Sequence, residues 1–304
     1  MNHPSFSVIL PSHNEGEWLE KTVRSVLEET DYSDFEIIVV SDGSTDSSTD
    51  FLKQKKVPNT KLLELSRPMG AAQARNAGGE KARGDLLVFL DAHMKVIDSS
   101  WLKHLAMLLR DPSVGGASLA IAHLEDPEKV GFIYTIKDLA LEPTWIIPEK
   151  KNISQKVPAL SGACFGIRKE IFDQTGGFDE GLRKWGREDF EYSLRLWRLG
   201  YDLLLDPTVG VAHSWARKRT FPISWNEVDY NILRTSATLF SPEYHQKVVN
   251  FLRSQRSGNV LRIVRELEKD IFFQKRYSDL QSQYDRSFEE YRDYFFDLLP
   301  FTKG

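Results

Sequence analysis

Asp85-Leu86-Leu87-Val88-Phe89-Leu90-Asp91-Ala92-His93 is the stretch on which the fold of this chain turns. Five consecutive apolar residues, far too few to cross a bilayer, read as a strand buried on both faces. The run ends in an aspartate and a histidine two positions apart. Where extended backbone persists, side chains two apart point the same way, so Asp91 and His93 face one ion. A carboxylate with an imidazole suits a divalent cation such as Mn²⁺ (or Mg²⁺), with diphosphate oxygens completing the shell. The same pair alone also describes a solvated turn, and its meaning rests on its surroundings.

Upstream, residues 6–10 form a short apolar run closed by Pro11. Residues 14–29 then carry Trp18, Leu19, Val23, Val26 and Leu27 at the spacing of one helical face. Residues 35–40 form a second strand, and the turn-rich Ser41-Asp42-Gly43-Ser44-Thr45-Asp46 that follows can cap a helix. A third strand is expected at 62–65 and an Ala-rich helix at 70–81. Strands alternating with helices predict right-handed crossovers and a mainly parallel α/β sheet. Ligands of such sheets lie beyond the carboxyl ends of the strands, where the loops at 11–15, 41–46 and 91–93 fall together.

Downstream the rhythm is looser. Residues 117–122 read as a strand, and 138–158 as a long loop of the kind that receives an acceptor or is simply an insertion. A helix is expected at 188–199 and a strand at 201–205. His213 follows in Val209-Gly210-Val211-Ala212-His213-Ser214-Trp215, beside the basic run Arg217-Lys218-Arg219, which offers cations to phosphates. Pro207, Gly210 and the basic run predict that 206–220 is a loop closing over bound nucleotide. Past Phe221 the alternation stops. Tyr277, Leu280, Tyr284, Phe288, Tyr291, Phe295 and Leu298 recur at three- and four-residue steps, an apolar stripe on one long helix that packs on its own domain, a second copy or a partner enzyme. Residues 1–220 are thus expected to be the catalytic domain and 221–304 a helical extension.

Several polar residues have both a chemical and a structural reading. Asp42 can accept an N–H from a nucleobase or cap a helix. Glu188 and Asp189, opening a helix, can include a general base for an acceptor hydroxyl or thiol, or simply favour a helix N-terminus. His213 is a third metal donor or a structural histidine.

Bulk properties exclude other classes. A formal net charge of -4 over 304 residues opposes wholesale nucleic-acid binding. The single cysteine, Cys164, excludes an intramolecular disulfide and a thiolate zinc site, and fits a reducing compartment. With no room for a signal peptide before Phe6 and no spanning segment, a cytoplasmic location is expected.

The blocks Val8-Ile9-Leu10-Pro11-Ser12-His13-Asn14-Glu15, Val39-Val40-Ser41-Asp42-Gly43-Ser44-Thr45-Asp46, Ala74-Arg75-Asn76-Ala77-Gly78 and Phe89-Leu90-Asp91-Ala92-His93, with Trp185-Gly186-Arg187-Glu188-Asp189-Phe190-Glu191 later, resemble in order and spacing those of family 2 glycosyltransferases of GT-A fold. The resemblance covers residues 5–220. It implies that Pro11, Ser12, Glu15 and Asp42 line a nucleoside pocket, with Asp42 on uracil, Arg75 near the base or diphosphate, and Asp91 on the metal. Most members carry Asp-x-Asp at the metal site. His93 instead resembles the polypeptide N-acetylgalactosaminyltransferases, which also use a later histidine on the metal, in a segment similar to that holding His213. Those relatives retain anomeric configuration and carry Gly-Glu-Asn where this chain has Arg187-Glu188-Asp189. Inverting members use the Asp of a Glu-Asp pair as base, and chondroitin-polymerase-like domains show a similar block. The resemblance therefore implies a metal-dependent hexosyl- or N-acetylhexosaminyltransferase moving sugar from a UDP-sugar to a hydroxyl or thiol of a saccharide, peptide or small molecule, with inversion. The alternatives are retaining transfer to a peptide side chain, and a non-catalytic nucleotide-sugar-binding scaffold.

Overall fold

The computed structural model describes residues 4–215, 222–256 and 259–300. Its first half alternates as expected: β1 (Phe6–Ser12), α1 (Glu17–Glu29), β2 (Phe35–Asp42), α2 (Asp50–Gln54), β3 (Thr60–Leu65), α3 (Ala71–Lys81) and β4 (Leu86–Leu90). Then come β5 (Met94–Val96), α4 (Trp101–Leu108), β6 (Val114–His123), β7 (Val130–Gly131), β8 (Ile133–Ile136), β9 (Pro143–Ile146), β10 (Gln155–Lys156) and β11 (Cys164–Arg168). The chain continues through α5 (Lys169–Thr175), α6 (Glu188–Arg198) and β12 (Asp202–His213). The rest is helical: α7 (Trp225–Leu239), α8 (Pro242–Gln255), α9 (Val260–Lys269), α10 (Ile271–Gln281), α11 (Phe288–Tyr294) and a 3-10 turn, Phe296–Leu298.

The main sheet runs β10-β12-β6-β11-β4-β1-β2-β3. β1 pairs in parallel with β2 and β4, β2 with β3, and β6 with β12, while β11 lies antiparallel between β4 and β6. Its apolar strands sort by alternation. Val8, Leu10, Ile37, Val39, Val88 and Leu90 meet Leu19, Val23 and Val26 of α1 and Trp101 and Leu105 of α4. Ile9, Ile38, Val40, Leu87 and Phe89 meet Ala72 and Ala74 of α3 and Phe172 of α5 on the other face. Covering both faces is what the uninterrupted hydrophobic strands require. The low bulk of α3 follows from its approach: a Cβ at Gly78 would stand 2.4 Å from Ile9 Cγ2.

Three expectations are corrected. Residues 206–213 are not a loop: β12 continues to His213, and Pro207, Thr208 and Val209 fill a register shift between Asp206 and Gly210. A bulge tolerates proline because its residues need not donate to the ladder. Asp206 Oδ1 accepts the Thr208 N–H (2.9 Å) and hydroxyl (2.6 Å) there. The rest of the predicted closing segment, with the basic run 217–219, lies outside the described residues. Residues 138–158 are not one loop either, since β8 and β9 pair as a hairpin and β10 joins β12.

The C-terminal stripe is not one helix. It breaks after Gln281, where the N–H groups of Asp285 and Arg286 reach the Arg198 carbonyl (2.9 and 3.1 Å). A capping box between Ser287 and Glu290 then starts α11. Leu280, Phe288, Tyr291 and Phe295 are nonetheless buried. Phe288, Tyr291 and Phe295 share one apolar cluster with Phe190, Leu194 and Trp197 of α6 and Val228, Ile232 and Leu233 of α7. Among the described residues no helix is long and apolar enough to cross a membrane.

Candidate functional site

The end of β4 releases Asp91, whose N–H donates to the Ala163 carbonyl (3.0 Å) of the turn before β11. His93 sits just before β5, and the antiparallel pairing of β5 with β12 sets His213 opposite Met94. Donor atoms of Asp91, His93 and His213 therefore lie within 4.8 Å of one another. The two imidazoles meet edge to face at 4.6 Å between centroids, and His213 Nε2 is 3.8 Å from Asp91 Oδ2. Trp215 packs on His213 with ring centroids 4.0 Å apart and planes tilted by 37°, and Glu125 accepts from the Ser214 hydroxyl and the Trp215 N–H.

Glu15, which the resemblance assigns to the nucleoside pocket, lies against this trio: its Oε2 is 3.2 Å from His93 Nδ1. A buried carboxylate that accepts a hydrogen bond from Nδ1–H fixes the tautomer and leaves Nε2 to serve as a metal donor, the usual arrangement behind a metal-binding imidazole. One carboxylate, two imidazoles and this supporting acid fit a divalent cation.

The predicted nucleoside side is an interlocked pair of loops. His13 Nδ1 is 2.6 Å from the Asp42 carbonyl, and Asn14, in left-handed backbone with φ 54, accepts the N–H groups of Thr45 (2.7 Å) and Asp46 (3.2 Å) through Oδ1. Ser12, next to Pro11 at the end of β1, keeps a buried hydroxyl with no partner among the described residues. Asp42 binds the chain just ahead of α3: its carboxylate accepts the N–H groups of Met69 (2.6 Å) and Gly70 (2.8 Å). Gly70 has φ 98 and a Cβ there would stand 2.5 Å from the Lys184 carbonyl, which also accepts the Ala71 N–H (2.7 Å). The Asp42 side of the site is thus tied to the segment leading to Glu188.

Arg75, expected near base or diphosphate, is buried between the trio and the acid pair. Its Nη2 donates to Asp91 Oδ1 (3.2 Å) and the Gly162 carbonyl (3.1 Å), and its Nη1 to Glu188 Oε1 (2.8 Å). Burial opposes its charge, but Glu188, Asp91 and Asp189 outweigh it and hold the guanidinium above its ordinary range. Glu188 also accepts the Gly186 N–H (2.9 Å).

Asp189 accepts N–H groups from Gly162 (3.1 Å) and Phe190 (2.8 Å) and a hydrogen bond from the Tyr134 hydroxyl on β8. Burial first, and Glu188 second, push its carboxyl above the usual aspartate range, while Tyr134, Arg75 and Gly162 pull the other way. Burial and the Asp189 charge raise Tyr134 well above the ordinary phenol range, so its oxygen keeps its proton and donates. Tyr134 and Glu125 were invisible in the sequence because their roles depend on a hairpin and a strand end that carry no motif.

A carboxylate and two imidazoles able to hold a cation thus connect through one buried arginine to a carboxylate of raised proton affinity. Comparison with known proteins gives the family and the fold. The family model for glycosyl transferase family 2 matches residues 7–176, and that for the N-terminal domain of galactosyltransferase matches 145–210, which includes Glu188 and Asp189. Polypeptide N-acetylgalactosaminyltransferase 8 of Drosophila melanogaster is 32% identical over 246 residues, 75% of this chain and 41% of its own length. The chain thus spans about two fifths of that relative. Among solved structures, GalNAc-T7 with UDP, GalNAc and Mn²⁺ superposes with TM-score 0.79 at 23% identity, over 98% of this chain and 59% of the other. The mannosyltransferase PcManGT of Pyrobaculum calidifontis with GDP-Man and Mn²⁺ gives 0.58 at 17%, over 92% and 85%. The α/β sheet with its helical C-terminal segment has the GT-A fold, and with the family model spanning more than half of its length the chain belongs to glycosyl transferase family 2.

Proposed function

We propose that this chain is a metal-dependent glycosyltransferase that moves a sugar from a UDP-sugar to an acceptor hydroxyl or thiol with inversion at the anomeric carbon. The observation that carries the reading is the clustering of the Asp91, His93 and His213 donor atoms within 4.8 Å at the carboxyl edge of the sheet. Those three residues would hold Mn²⁺ or Mg²⁺, and a cation bound there supplies positive charge against a diphosphate leaving group. Arg75 orients Asp91 by donating from Nη2 to its Oδ1. Asp189, held by Gly162, Phe190 and Tyr134, takes the acceptor proton as the new bond forms, and no covalent enzyme intermediate is required. Uridine as the base draws support from the UDP of the GalNAc-T7 structure.

Inversion draws support from Asp189 itself, a carboxylate of raised proton affinity that can take the acceptor proton. Retaining transfer to a peptide side chain is the second reading, favoured by the identity with a polypeptide N-acetylgalactosaminyltransferase. The test is the product. Incubation with UDP-sugars, Mn²⁺ and a panel of saccharide, peptide and small-molecule acceptors, followed by NMR of the anomeric proton, gives inverted product under our proposal. Retained configuration on a peptide establishes the second reading.

A further inference from the structure

The acid pair is reached through an unusual stretch of backbone. Lys184 (φ 40), Gly186 (φ 101) and Arg187 (φ 77) are all left-handed within four residues, immediately before α6. Non-glycine residues persist in that region only where their surroundings over-determine them. One side chain from the helical C-terminal segment makes several of the contacts that hold this backbone. Asn231, in the middle of α7 and 1% exposed, accepts the Arg183 N–H through Oδ1 (2.7 Å). Its Nδ2 donates to the carbonyls of Arg183 (2.8 Å) and Gly186 (2.9 Å), with that of Trp185 at 3.4 Å. One carboxamide thus engages its acceptor and both donors on the backbone of a single four-residue segment. The preceding residue of α7, Tyr230, takes the Arg183 guanidinium on its ring at 3.5 Å. The opposite side of the segment is fixed by the Lys184 carbonyl on the Ala71 N–H.

We infer that Asn231 is a positioning residue for Glu188 and Asp189, so that α7 completes the site instead of only covering α6. The inference rests on the reading of Asp189 as the base. A buried helix position would ordinarily be apolar, as Val228, Ile232 and Leu233 of α7 are. A carboxamide is retained where a backbone of fixed, irregular shape needs both donors and an acceptor. Glu188 then receives the Gly186 N–H and Arg75 in the geometry that leaves Asp189 on Gly162 and Tyr134.

The experiment uses the full chain. Asn231→Asp keeps the shape and removes the two donors, and Asn231→Ala removes the group. For each, kcat, calorimetric affinity for UDP-sugar with Mn²⁺, and the circular-dichroism melt are measured beside Asp189→Asn. The expected result is a fall in kcat of roughly 100-fold, the effect of misplacing a reacting group by about 1 Å, with donor affinity held within about twofold and the variant folded at the assay temperature. A folded variant of wild-type kcat, with Asp189→Asn inactive, overturns the inference alone. Wild-type kcat in Asp189→Asn removes the base reading and this inference with it. Hydrogen exchange on the wild type supplies a measurement independent of whether the variants fold: the Arg183 amide, held by Asn231 Oδ1, exchanges as slowly as those of α7, and fast exchange there contradicts the contact.

Discussion

Glu15 illustrates what a sequence conceals at the scale of one residue. Its neighbours Pro11 and Ser12 point to a nucleoside pocket, yet its carboxylate lies on the Nδ1 side of His93, a partner 78 positions away. We predict that Glu15→Gln weakens Mn²⁺ binding by about 10- to 100-fold, the usual cost of losing a carboxylate behind a metal-binding histidine, with little change in melting temperature. Unchanged affinity in calorimetry would remove the supporting role. Asp91 and His93 were legible from their place at the end of an apolar strand, although it is a turn at 91–93, and not strand alternation, that brings their donor atoms together; Arg75 was only half legible, since helix periodicity gives its face but not that this face looks between two carboxylates. Asp189 allows a prediction in pH. Its pKa is raised and the base must be ionised, so kcat falls as pH drops through a value above the ordinary aspartate range of about 3.9. Tyr134→Phe removes a hydrogen bond to the ionised form and shifts that acidic limb to higher pH. A limb unmoved in Tyr134→Phe would show that the hydroxyl does not act on the base.

At the scale of elements, what was legible came from periodicity and what was lost came from breaks in it. The strands β1, β2 and β4 follow from short apolar runs, α1 from a one-sided stripe and α3 from its Ala-rich composition. β12 was cut short in the sequence reading because Pro207 argues against a strand, and only the pairing with β6 reveals that its bulge absorbs it. The break in the C-terminal stripe was legible in principle, since Ser287-x-x-Glu290 is a capping box that the apolar repeat overshadowed. Within α6, Glu191 meets Arg195 at 2.8 Å with both side chains essentially out of solvent, and Arg276 of α10 lies 3.6 Å from the same carboxylate. Glu191→Ala leaves a buried guanidinium without its counter-charge, and we predict a loss of about 3–5 kcal/mol in denaturant unfolding. A change under about 1 kcal/mol, the size of an exposed ion pair, would show that the Arg195 contacts with the Thr175 and Gly177 carbonyls suffice alone.

At the scale of the whole molecule, the sheet edge carries the trio and the nucleoside-side loops, and the C-terminal helices hold the other end of the site. The division at residue 220 was drawn where alternation stops, but the cluster of α6, α7 and α11 crosses it. We predict that a chain ending at 220, with Phe190, Leu194 and Trp197 uncovered, does not remain a soluble monomer by light scattering. A monodisperse, cooperatively melting fragment would show that residues 1–220 stand alone.

The central claim is that Asp91, with His93 and His213, builds a cation-dependent site for a nucleotide sugar. Calorimetric titration of UDP-sugars and other nucleotide sugars into the wild type and Asp91→Ala, each with and without Mn²⁺, tests it most directly. We predict binding of a UDP-sugar that requires Mn²⁺ and disappears in Asp91→Ala while the melting curve stays cooperative. Binding of equal strength without the metal or without the Asp91 carboxylate, or no nucleotide binding with Mn²⁺ present, would contradict it.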